Sequence, residues 1–384
     1  MKFPEKFRFL FNFKFLFWFI VTVTIGATLQ KYFLGIDHIK NFLIFKNSFF
    51  NLINDKDFYT PQRYENMDID LYKYSPAFSL LFAPLAILPN VIGIVLWNLL
   101  NTLLLFYAIK SLNFNENKKA IIFWLVFIEM LTSIQNCQSN ALIAALIIFA
   151  FTLLERKKLF LATFCIAFSA YIKLFGIVAI ILFLFYPDKI KFIFYTILWA
   201  AILFFLPLLV ISFHQLIFLY QSWGRMLSED QTISWGLSVM GIIKSWFNLD
   251  IPKMYVQIVG VLILCLPLLS IKSWREAAFR LLYLSSVMIW VVIFNHRAES
   301  PTFIIALCGM AIWFVSQNSS PMNIFLIIFA LVLTSLSPTD LFPKFIRDTY
   351  VVPYALKALP ALLIWIVIQY KLFSIALKSN NSLS

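Results

Sequence analysis

Charge is what this sequence has least of. Only 13% of its 384 residues are charged, about half the share of an ordinary soluble domain. Its four cysteines, Cys137, Cys165, Cys265 and Cys308, stand singly. They form neither a CxxC pair nor a metal-ligand spacing, which excludes a disulfide scaffold and a zinc module. The three histidines, His38, His214 and His296, lie far apart, so no histidine metal site is expected. What fills the space is apolar: 62% of the chain is hydrophobic, with 44 phenylalanines. A soluble globule of this length cannot hide so much apolar surface. The composition therefore predicts an all-α, polytopic transmembrane helix bundle.

The formal net charge of +13 is no nucleic-acid signature, because the basic residues cluster in short loops between apolar runs. That placement orients a membrane protein. Lys2, Lys6, Arg8 and Lys14 precede an apolar run from Phe15 to Leu29 with no small-residue cleavage site, which reads as an uncleaved anchor. Further runs lie near Val91–Ile109, Ala120–Ile134, Ala141–Leu154, Leu159–Ile172, Leu174–Tyr186, Phe192–Phe213, Met254–Ile271, Ala277–Phe294, Pro301–Val315, Met322–Leu336 and Pro353–Ile368. This makes about twelve spans. Several are short, as in helices that line a cavity. Tyr74–Pro89, with prolines at 76, 84 and 89, reads as a half-span or re-entrant helix. With both termini in the cytoplasm, 17 of the 31 basic residues and 5 of the 18 acids fall inside. The expected location is a bacterial plasma (inner) membrane, with residues 1–377 as a single domain and 378–384 as a polar tail.

This orientation places two long loops, Gly35–Lys73 and His214–Pro252, on the extracytoplasmic side. The first holds Asp37, Asp55, Asp57, Glu65, Asp68 and Asp70, a third of all the acids. Within it, Phe42, Phe45, Phe49, Leu52 and Ile53 recur at helical spacing. They predict an amphipathic helix over 39–53, lying on the membrane surface or packed on the protein's own outer face.

Ionisable groups among apolar helices are costly and face a cavity or a partner. Lys173 lies between two short apolar runs; in a broken helix pair its ammonium suits a lipid phosphate. Gln135–Asn140 is an amide-rich turn whose Gln138 and Asn140 suit sugar hydroxyls. Glu129 lies inside an apolar run, either protonated and hydrogen-bonded or catalytic. The segment Asn295–Pro301 brings His296, Arg297 and Glu299 together at a span's end. Expelling a phosphate needs cations where negative charge develops, for which Arg297, Lys173 and His296 are the candidates. Asp68-Ile69-Asp70 has the form of a DxD motif, but no nucleotide-binding strand and loop accompany it. Asp70 is preferred as a general base.

From Tyr74 to Pro89 the chain resembles glycosyltransferase family 87, membrane enzymes of the GT-C fold class. The resemblance continues through Leu96–Asn101, Gln138-Ser139-Asn140 and Ile172-Lys173, where the family often has IKP and this chain has Leu174. It implies a hexosyl, for instance mannosyl, transfer from a polyprenyl-phosphate sugar donor to a lipid or glycan hydroxyl at the extracytoplasmic face. It requires neither a cofactor nor a nucleotide site, and no metal is assigned. It also implies a catalytic Asp in the first outer loop, at the position held here by Asn41. An amide cannot act as the base, which leaves Asp37, Asp70 or Glu299, or a changed activity; Asn41 joins Gln138 and Asn140 as a sugar- or acceptor-binding candidate. The competing readings are a lipid or glycan flippase and a lipid-binding partner without catalysis. All three keep membrane lipids as partners and exclude nucleic acid. The transferase reading expects Lys173, Arg297, Glu299 and Asp70 to meet at one outer pocket.

Overall fold

The structure, a computed structural model, describes residues 5–64, 67–230 and 234–381. Of the positions singled out above, Lys2, Glu65 and the last three residues of the tail lie outside the described residues. Most of the described chain is helical. The strands among the described residues are β1 (Gln62–Tyr64) and β2 (Met67–Ile69), an antiparallel hairpin with Arg63 opposite Asp68. The chain divides into two compact units. One comprises Met1–Asn113, Leu131–Ile177 and Asp188–Ile233; the other comprises Phe114–Met130, Val178–Pro187 and Ser234–Ser384.

In the first unit, α1 (Phe13–Phe33) opens the chain and α2 (Lys40–Ile53) follows within the first long loop. Next come two short helices, α3 (Pro76–Leu81) and α4 (Ala83–Ala86), then α5 (Asn90–Ser111). Ser75 caps α3 by accepting from Phe78 N, with Pro76 in the first helical turn; this is a favoured helix start. The Tyr74–Pro89 segment is thus two short helices. The helix α6 (Glu116–Gln135) is divided between the units, and α7 (Asn140–Glu155), α8 (Leu159–Ile172), α9 (Lys189–Phe205) and α10 (Phe213–Asp230) belong to the first. Helix α5 packs on α1 and α7, and α8 packs on α7 and α9.

Polar side chains stitch these apolar helices together. Asn98 Nδ2 donates to Thr28 Oγ1 at 2.9 Å, and Asn101 Oδ1 accepts from Leu142 N at 3.1 Å. With little water to compete, such bonds fix helix register. The apolar side of α2 is buried against its own unit: Phe42, Leu43 and Leu52 are fully buried, and Phe45 meets Tyr74, Phe78, Phe82 and Trp97 edge-on or tilted. The amphipathic helix is therefore packed on the protein itself, because its phenylalanines find aromatic partners there rather than lipid.

In the second unit, α11 (Val239–Phe247) and α12 (Lys253–Cys265) precede α13 (Ala277–Ile293). They are followed by α14 (Phe303–Ser316), α15 (Pro321–Ala330), the single turn α16 (Lys344–Ile346) and α17 (Leu359–Asn381). Nearly every residue of α13 from Leu282 to Ile293 is buried, as expected of a helix apolar on all faces. It packs on α14 and α17, and Ser286 Oγ accepts from both Trp365 Nε1 and Gln369 Nε2. The polar tail begins as a continuation of α17, which extends to Asn381.

Among the described residues, four helical stretches are long and apolar enough to cross a membrane: Phe13–Phe33, Asn90–Ser111, Lys189–Leu209 and Leu356–Leu377. Seven shorter apolar helices of 10–17 residues accompany them. Of the expected twelve or so spans, several of them short, four reach full length, and prolines and tight turns divide other runs. Apolar side chains such as Ile190, Phe194 and Ile197 stand more than half exposed on α9, a surface suited to lipid rather than water. The chain is an integral membrane protein.

Candidate functional site

One polar cluster of the first unit lies where a helix breaks. Helix α8 ends at Ile172, Lys173 is extended with φ −140° and ψ 125°, and a tight helical segment runs on from Leu174 to Phe185. The break is built around Gly176. A Cβ there would lie 2.7 Å from the Ser169 carbonyl carbon and from its Oγ, so only glycine lets the chain fold back on the last turn of α8. Gly176→Ala is expected to lower stability by about 1–3 kcal/mol, as overpacking does. Thermal unfolding in detergent measures it.

The break aims the Lys173 ammonium at the amide turn. Its Nζ donates to Asn140 Oδ1 at 2.9 Å and to Gln138 Oε1 at 3.3 Å. It also stands 5.6 Å from the centre of the Tyr74 ring and 5.9 Å from that of Phe175, within cation–π range. Three residues singled out in the sequence for phosphate and sugar recognition are thus brought together. Asn140 is 1% exposed, and its Nδ2 has no hydrogen-bond partner.

The turn is held from α5. Trp97 Nε1 donates to Cys137 O at 2.9 Å, and Cys137 takes a left-handed φ of 51°, an uncommon conformation for a non-glycine residue. Asn41 binds the same turn, its Nδ2 donating to Asn136 O at 2.8 Å. Tyr74 is placed by Ser75 N donating to Tyr171 O and by Tyr59 Oη donating to Tyr74 O. Burial pushes the Tyr59 and Tyr72 hydroxyls well above the ordinary tyrosine range. Both therefore stay protonated as donors.

The candidate acids are less enclosed. Asp70 pairs with Lys73 at 3.0 Å and Asp37 with Lys40 at 3.0 Å, each across three residues. Their carboxylates are 66% and 75% exposed. Asp70 also borders a small pocket with Asn47, Ser48, Asn51 and Tyr72. Asp68 bonds Arg63 across the hairpin at 2.7 Å. Asp57 is held more firmly, its Oδ2 accepting from the buried Ser222 Oγ at 2.6 Å. Among the described residues no cluster of three or more His, Cys, Asp or Glu side chains is placed to hold a metal ion.

The second unit carries the Asn295–Pro301 loop. Asn295 Oδ1 accepts from Arg297 N at 2.9 Å, and Leu237 N donates to Ala298 O at 2.8 Å. Gly236 makes this approach possible. Its φ is +58°, and a Cβ would lie 2.5 Å from His296 O. Glu299 N donates to Thr302 Oγ1, fixing the start of the helical turn that leads into α14. His296, Arg297 and Glu299 therefore belong to one ordered loop.

One residue of this unit, Lys357, escaped the sequence reading. Glu129 pairs with it: the two side chains form an ion pair at 2.7 Å and are 0% and 3% exposed. Lys357 also donates to Ser300 Oγ at 2.9 Å. The signal was present as two opposite charges inside separate apolar runs, which pair when they share a bundle.

Lys173 and Asp70 lie in the first unit and Arg297 and Glu299 in the second. The family model of glycosyltransferase family 87 matches residues 72–338. That span includes Tyr74, Gln138, Asn140, Lys173, His296, Arg297 and Glu299, and excludes Asp37, Asn41, Asp70 and Lys357. No curated protein matches the chain.

Proposed function

The chain belongs to glycosyltransferase family 87, a membrane glycosyltransferase, and from that premise we propose that it transfers a hexosyl group, for instance mannosyl, from a polyprenyl-phosphate donor to a lipid or glycan hydroxyl. The reaction is placed at the extracytoplasmic face of a bacterial inner membrane, on a GT-C type bundle. A carboxylate takes the acceptor's proton, the freed oxygen attacks the anomeric carbon, and the bond to phosphate breaks with its electrons leaving on the lipid phosphate. Lys173 meets that developing charge, with Arg297 and His296 in the same role. Gln138, Asn140 and Asn41 bind sugar or acceptor hydroxyls. Asp70 is the preferred base, with Asp37 and Glu299 as the alternatives.

The observation that carries the reading is the Lys173 ammonium at a helix break, 2.9 Å from Asn140 Oδ1 and 3.3 Å from Gln138 Oε1. A phosphate oxygen can replace an amide oxygen as acceptor, and the amides then turn to hydroxyls. Purified protein given radiolabelled polyprenyl-phosphate mannose and a glycan acceptor is expected to release polyprenyl phosphate. Asp70→Asn and Arg297→Ala are each expected to abolish release while leaving expression intact. Full activity in either variant removes that residue from the site. Movement of the donor in sealed vesicles without turnover would favour a flippase.

A further inference from the structure

The ion pair between Glu129 and Lys357 has no part in the chemistry above, yet it touches the loop that does. Lys357 Nζ is 2.7 Å from Glu129 Oε1 and donates to Ser300 Oγ at 2.9 Å. It also lies 5.1 Å from the centre of the Phe303 ring, and Thr334 Oγ1 donates to its backbone carbonyl at 2.9 Å. Both its side chain and its backbone are therefore held. A charge pair taken this far from solvent is rarely more stabilising than apolar residues of the same volume. What it supplies instead is direction, since an ammonium fixed on a carboxylate presents its remaining hydrogens along set lines.

We infer that Lys357 is a positioning residue: anchored by Glu129, it fixes the Glu299-Ser300-Pro301 turn through the Ser300 hydroxyl. The turn follows Arg297 and carries the candidate base Glu299. The backbone of the loop is tied at Ala298 O and at Thr302 Oγ1, and Ser300 Oγ adds a side-chain tie to the buried pair. The consequence for catalysis rests on the proposed transferase reading; the ordering of the turn does not.

The test uses the full chain in detergent, with Cys137, Cys165, Cys265 and Cys308 replaced by alanine and a nitroxide on Glu299→Cys. Ser300→Ala leaves the ion pair whole and so keeps the fold. Glu129→Gln combined with Lys357→Met removes both charges together and leaves neither one unpaired. Label mobility is expected to rise several-fold in each, with no further rise when the changes are combined, and Ser300→Thr is expected to restore the ordered spectrum. An unchanged spectrum in Ser300→Ala overturns the inference. With Glu299 restored, Ser300→Ala is expected to lower kcat several-fold at unchanged KM for polyprenyl-phosphate mannose; an unchanged kcat overturns the positioning role. If the unsubstituted protein shows no turnover, the transferase reading fails, and the nitroxide spectra decide the inference alone.

Discussion

Replacing Lys173 by methionine is expected to slow release of polyprenyl phosphate by about 10²–10³-fold, the usual effect of removing one preorganised donor from a developing oxyanion. Methionine keeps an unbranched side chain of similar reach, so the packing beside Tyr74 and Phe175 survives. What is lost is the positive charge, together with its bonds to Asn140 and Gln138. The ammonium is part-buried, where a charge acts at a lower effective dielectric than in bulk water. Lys173→Arg is expected to recover only part of the rate, because a planar fork does not reproduce a compact ammonium. Single-turnover release from radiolabelled donor separates this effect from product dissociation. A rate within a few-fold of the unsubstituted protein would take Lys173 out of the mechanism.

Lys357→Met alone is expected to destabilise the protein by about 3–5 kcal/mol, since it strands the Glu129 carboxylate in the interior without its counter-ion. Adding Glu129→Gln is expected to recover most of that loss, because two neutral side chains leave no unpaired charge to desolvate. Thermal unfolding in detergent and the yield of monodisperse protein report both effects. If the double variant were as unstable as the single one, the carboxylate would not be the source of the loss. Stability and turn order are thus separable: the double variant regains the first while losing the second.

The sequence announced much of this arrangement, and its omissions have physical causes. The runs over Ala141–Leu154, Leu159–Ile172 and Ala277–Phe294 stand close to α7, α8 and α13, because a long apolar stretch has few alternatives to a buried helix. Lys173 between two runs foretold the helix break. The grouping of Gln138 and Asn140 around its ammonium depends on how α7 meets α8, a long-range contact that periodicity does not encode. The apolar stripe of α2 was legible, but its partners were not. Phenylalanine at Phe42 and Phe45 suits lipid and protein equally, and only the aromatic side chains of Tyr74, Phe78, Phe82 and Trp97 decide between them. Lys357 went unnoticed because it sits near the end of an apolar run, where a lysine ordinarily reaches for the interface. Its burial follows from Glu129, more than two hundred residues earlier.

The central claim is that Lys173 receives the phosphate of a lipid-linked sugar donor. A structure of the full chain with bound polyprenyl phosphate tests it most directly. The account predicts a phosphate oxygen within hydrogen-bond distance of Lys173 Nζ, beside the Gln138 and Asn140 amides and the Tyr74 ring. A phosphate seated elsewhere, with the Lys173 ammonium still on the Asn140 oxygen, would contradict it.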